Sequence, residues 1–72
     1  MDKDDLVTLE GFIDRYGLGE VLSSLGYICS EKAEHVATNW QDVPLGKRWM
    51  KLATVLDFTV AKVEAAGDPS AR

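Results

Sequence analysis

Apolar residues recur along this chain at intervals of three and four with no sustained alternation, which is the period of helices and not of strands. Leu6, Leu9, Phe12, Ile13 and Tyr16 fall on one side of a first helix, expected over about residues 5–16. Asp4 or Asp5 can cap its start, where acids complement the positive end of the helix dipole, and Gly17 stands where a C-terminal cap belongs. After the connector "GLG", a second helix is expected over about 19–40, with Leu18, Leu22, Leu25, Cys29, Val36 and Trp40 as its apolar stripe. Gly26 interrupts that stretch, and glycine inside a helix costs about 1 kcal/mol relative to alanine. With no proline beside it, the reading is a continuous helix in which Gly26 permits a close approach. The competing reading breaks the helix near Ser30, which can cap a new start.

"QDVPLG" is the clearest punctuation. Asp42 suits an N-cap and Pro44 a first turn, where no amide hydrogen is needed. The third helix then runs over about 43–66 with Leu45, Trp49, Leu52, Leu56, Val60 and Val63 as its stripe. Gly67, Asp68 and Pro69 end it, and the tail, residues 67–72, is expected to fray. The pattern therefore predicts an all-α fold: a three-helix bundle in which a short first helix packs on a long helical hairpin. Twelve helical residues span roughly 18 Å and 22 span roughly 33 Å, so the first helix covers about half of the hairpin. The uncovered half is a candidate dimer interface, because a core this thin gains from a second copy.

Length and charge narrow the picture. Seventy-two residues make one domain at most, spanning 1–72. The single cysteine, Cys29, permits no intramolecular disulfide; it reads as a small core residue in a reducing compartment, and the cytoplasm is the expected location. No apolar run approaches the roughly 20 residues of a membrane span, and "MDKDDL" lacks the form of a secretory signal. The net charge of −4 argues against general nucleic-acid binding. Its distribution is uneven: residues 1–42 hold nine acids and three bases, residues 43–72 three acids and five bases.

The dozen "EKAEHVATNWQD" gathers the residue types of a metal or catalytic site. On a helical wheel His35, Asn39 and Asp42 lie within about 80° of Glu31, while Trp40 and Leu22 lie about 180° away, so the polar stripe points from the core. Lys32, not an acid, precedes His35 by three, and no second histidine exists to complete an inward-facing carboxylate–histidine set. The residues predict a solvated or partner-facing surface, with no metal, no cofactor and no catalytic group. Tyr27, Glu31 and His35 form a candidate contact patch there, since tyrosine is enriched at interfaces.

The third helix carries a second stripe. Opposite Trp49 lie Lys47, Lys51, Val55, Phe58 and Lys62, a phenylalanine and a valine among lysines. Three readings stay open: the first helix packs on Phe58; a second copy docks there with its acidic first half; or another acidic partner, protein or nucleic acid, binds. Lys47, Arg48 and Lys51 fall early in the helix, where positive charge opposes the dipole by a few tenths of a kcal/mol.

"LEGFIDRYGLGEVLSSLGYIC" followed by "EKAEHVATNWQDVPLGKRW" resembles a group of small all-helical proteins of bacteria and their phages that carries no assigned activity. The resemblance spans about residues 9–60 and implies a compact helical protein, with no functional residue to carry over. The expectation is a small non-enzymatic protein that self-associates as a homodimer and acts through contact with a protein partner. A nucleic-acid-associated regulator using the basic stripe is the alternative.

Overall fold

The computed structural model describes residues 1–70 and shows three helices: α1 (Lys3–Tyr16), α2 (Leu18–Asn39) and α3 (Val43–Ala65). The fold is an all-α three-helix bundle in which α2 and α3 pack along an extended antiparallel seam and α1 packs more lightly on α2. Among the described residues α1 makes no contact of its own with α3, so the bundle is open on one side.

Local chemistry sets the helix ends. Asp2 caps α1 two or three residues earlier than the sequence suggested, its carboxylate accepting from the Asp5 amide at 2.8 Å, and Asp4 and Asp5 then occupy the acidic first turn. The expected three-residue connector shrinks to Gly17 alone. Its φ of 91° lies in the left-handed region that favours glycine, and its amide closes α1 on the Ile13 carbonyl at 2.8 Å. α2 runs unbroken through Gly26 and Ser30. It stops at Trp40, where Gln41 takes a positive φ of 54° and the Asp42 amide reaches back to the Val36 carbonyl. Asp42 then caps α3 by accepting from the Leu45 amide at 3.1 Å, with Pro44 in the first turn.

The seam is built from small residues. Gly19, Gly26 and Ala33 recur at sevens on α2; Gly46 and Ala53 share that spacing on α3. Gly26, Ala33, Gly46 and Ala53 are buried, along with Val36. A methyl group at Gly46 would lie 2.9 Å from the Ala33 carbonyl oxygen and 3.1 Å from the Ala37 Cβ, so backbone meets backbone at this level. One at Gly26 would lie 3.3 Å from an Asp57 carboxylate oxygen. A seven-residue repeat keeps one seam facing its partner only if the two helices supercoil left-handedly.

This seam corrects the expected core. Of the two predicted stripes only Val36 is buried; Leu25, Leu52 and Trp40 are exposed, and Trp40 at the end of α2 is 65% so. The bulky residues cannot enter a gap filled by glycine and alanine, so they flank it. Cys29 is a free, half-buried thiol at that flank instead of a core residue. In α1 no residue is buried, since α2 alone backs it.

The tail also differs from expectation. Residues 67–70 do not fray; they fold back after Gly67, at φ 82°, onto the start of α2. The Leu18 amide donates to the Ser70 hydroxyl at 2.7 Å and the Gly19 amide to the Asp68 carboxylate at 3.1 Å. Ser70 in turn donates its own hydroxyl and amide to the other Asp68 oxygen. Gly17 has no side chain to cap α2, so two otherwise unpaired amides are satisfied by residues some fifty positions away. The last two residues, also assigned to that tail, lie outside the described residues.

Three measurements check this account. Gly46→Ala forces the seam apart and is expected to cost about 1–3 kcal/mol in chemical denaturation, the usual range for overpacking. Gly11→Ala, in open space midway along α1, is expected to stabilise by up to about 1 kcal/mol. The Asp68 carboxyl is held below its ordinary range, first by the Ser70 hydroxyl and amide and then by the Gly19 amide. Because the folded value is depressed, the clasp is at full strength above about pH 4, the unfolded value, and is lost as pH falls through the folded one. Hydrogen exchange should therefore show the Leu18 and Gly19 amides losing protection in acid, and Asp68→Asn should show that loss at neutral pH.

Candidate interaction surfaces

Three surfaces emerge. The first is the back of α3. Phe58 is 68% exposed, Val55 is half exposed, and Lys47, Lys51 and Lys62 are exposed around them. The reading in which the first helix buries Phe58 is overturned, because Phe58 stays exposed and no Cα of α1 comes within 8 Å of one in α3. α3 carries no acid in its first turn, and Lys47, Arg48 and Lys51 follow in its second and third turns.

The second is a groove between α2 and α3 that joins residues the sequence had placed in separate patches. Tyr27, Glu31 and Glu34 from α2 face Lys47, Val43 and Met50 from α3 across the small seam. The Tyr27 phenol is held above its ordinary value by its hydrogen bond to Glu31, by the charge of that carboxylate, and by Glu34 beyond it. It therefore stays a neutral donor at physiological pH. His35 does not join this groove. Its ring meets Trp40 edge-on at 5.9 Å and its Nδ1 lies 2.8 Å from the Asn39 side-chain amide nitrogen. Glu31, Glu34, His35 and Asn39 border a polar depression, and Glu31 and His35 also line the groove that Val36, Leu45 and Trp49 form. No group of three His, Cys, Asp or Glu side chains among the described residues is placed to hold a metal ion.

The third surface lies on the opposite side of the seam and was not singled out from the sequence, which assigned Phe12, Leu25, Val36 and Trp49 to core stripes and left Val21 and Ile28 unassigned. Here α1 and α2 diverge to leave an apolar cleft of about 370 Å³, walled by Leu9, Phe12 and Tyr16 on one side and Val21, Leu25 and Ile28 on the other. Ile28 also borders the adjoining groove formed with Val36, Leu45 and Trp49, so the two depressions run together into one trough. Leu52 lies about 60° from Trp49 on the α3 wheel. Half of Leu52 is exposed, as are 48% of Ile28 and 45% of Phe12. Lys32 crosses the trough with its Nζ 5.5 Å from the centre of the Trp49 ring, a cation–π contact. The signal in the sequence was the wheel itself: a helix that seals its seam with glycine and alanine has no room there for leucine and tryptophan.

No protein-family model matches the chain, and no curated protein and no solved structure matches it either. No helix among the described residues is long and apolar enough to cross a membrane.

The exposure of Phe58 has a direct check. A buried phenylalanine cut to alanine costs about 3–5 kcal/mol. Phe58→Ala is expected to change unfolding free energy by less than about 0.5 kcal/mol, as surface substitutions do.

Proposed function

We propose that this chain is a small, non-enzymatic, cytoplasmic protein that works through protein–protein contact and self-associates. The observation that carries this reading is a surplus of surface. The protomer exposes 5695 Å². A compact monomer of 7.9 kDa exposes roughly 4,400 Å², so the excess is about 1,300 Å². Its radius of gyration, 14.2 Å, likewise exceeds the roughly 11 Å of a compact 72-residue domain. Much of the surplus is apolar: thirteen large hydrophobic side chains besides Met1 are exposed, at least two-fifths of each in contact with water. Removing about 1,300 Å² from each of two chains buries about 2,600 Å², inside the range of obligate homodimers.

The basic back of α3 supports a role beyond self-association. Phe58 and Val55 offer an apolar anchor, and Lys51 and Lys62 flank it, an arrangement suited to an acidic segment of another protein. A phosphate backbone would be drawn to the same lysines, but such binding must overcome a net charge of −4. A labelled-DNA or RNA shift at low salt that is lost in Lys51→Glu would favour that second reading.

Light scattering or sedimentation over a range of concentration tests self-association. The expected solution mass is twice that of the 7.9 kDa protomer at micromolar concentration. A mass of one protomer at every concentration would remove it.

A further inference from the structure

α1 is joined to α2 through one residue. The Gly17 amide closes α1 on the Ile13 carbonyl, and the Gly17 carbonyl accepts from the Val21 amide at 3.2 Å, so the same residue ends one helix and starts the next. Its torsions, φ 91° and ψ 152°, therefore set the angle between the two helices, in a region that glycine holds most readily. Among the helices α1 rests on α2 alone, and it buries no residue, so packing does little to fix that angle. The clasp bears on the joint from outside. Gly17 is buried, and the Ser70 carbonyl oxygen lies 3.5 Å from where a Cβ on it would stand. The next two amides, of Leu18 and Gly19, are the ones that donate to Ser70 and Asp68. Tyr16 and Glu20 border both the depression around the clasp and the apolar cleft between α1 and α2. Clasp, joint and cleft are continuous.

We infer that the clasp is a latch on a hinge at Gly17. While Asp68 and Ser70 hold the first amides of α2, α1 keeps the angle that sets the width of the cleft. When they let go, α1 swings on Gly17 and the cleft opens, with the α2–α3 hairpin intact. Hinges of this kind are single positions at element ends that absorb a torsional change while the elements on either side keep their form. The latch is slight, two side chains on two amides, and a contact of that size shifts a local equilibrium severalfold and no more. The seam does not share in the motion, because Gly26, Ala33, Gly46 and Ala53 close it along its own length. A released α1 also loses order, since fourteen residues are marginal as an isolated helix in water. Opening is therefore readable in the exchange of its amides. The control runs both ways by linkage: whatever occupies the cleft and spreads α1 from α2 loosens Asp68 and Ser70 in turn.

The test is residue-resolved hydrogen exchange on the full chain, wild type against Asp68→Ala, Ser70→Ala and the two combined. It is run at a concentration where all four have the same solution mass, so that a change of assembly is not mistaken for hinge motion. In the combined variant the Leu9, Phe12 and Ile13 amides are expected to exchange about fivefold faster or more, together with those of Leu18 and Gly19, while amides around Ala53 stay within about twofold of wild type. Each single variant should fall between. Leu18 and Gly19 losing protection with α1 unchanged would mean that the clasp caps α2 and does nothing else, which overturns the latch. Equal acceleration in α1 and α3, the mark of general destabilisation, overturns it too. Leu18 and Gly19 amides that keep their protection in the combined variant overturn the clasp itself.

Discussion

The fold depends on the approach of two backbones. At Gly46 the third helix comes so near the second that a single methyl group would press on the Ala33 carbonyl. Gly26, Ala33 and Ala53 hold the same intimacy along the seam. Closeness of this kind gains dispersion contact along the backbones, but it leaves no volume between the helices for large side chains. The leucines, valines and tryptophans of both helices are consequently displaced to the flanks. A seam that narrow makes a sound hairpin and a poor core.

The consequences spread outward from there. Only a few small residues are fully buried in the protomer, too little apolar surface to hold a 72-residue chain in isolation with comfort. The first helix leans on one flank of α2 without reaching α3, and it leaves a trough where a compact bundle would have its centre. The C-terminal clasp compensates at one end. Asp68 and Ser70 close the amides at the start of α2 and put a carboxylate at the positive end of its dipole. They tie the last described residues to the junction between α1 and α2, at the foot of the trough. Gly17, pressed between Ser70 and the two helix ends, links the clasp to the turn that aims α1.

Charge follows the same geometry. The acids of the first half cluster on α1, while Lys47, Lys51 and Lys62 of the second half lie on the side of α3 away from Trp49 and the trough. The basic stripe itself divides between neighbourhoods. Lys47 lines the α2–α3 groove with Tyr27, Glu31 and Glu34. Lys51 and Lys62 stay outward with Phe58.

Helical period, the Asp42–Pro44 start of α3, the glycine that ends α1 and the polar outward stripe holding Glu31 and His35 were legible in the sequence, because each is a local consequence of residue type and spacing. So was the continuity of α2 through Gly26, with its implied close contact. What the wheel could not rank was which of two adjacent stripes faces the neighbouring helix: the bulky one through Leu25 and Trp40, or the small one through Gly26 and Ala33. Hydrophobicity favours the first; the packing of two backbones chose the second, and with it decided that Leu52, Ile28 and Phe12 stand in water. Nor could local pattern show Ser70 reaching Leu18, since a clasp across some fifty residues exists only once α2 and α3 lie antiparallel and bring the ends together. Sequence determined the elements and their polar faces. Tertiary structure alone decided which apolar face was left open, because that depends on how near two helices can come.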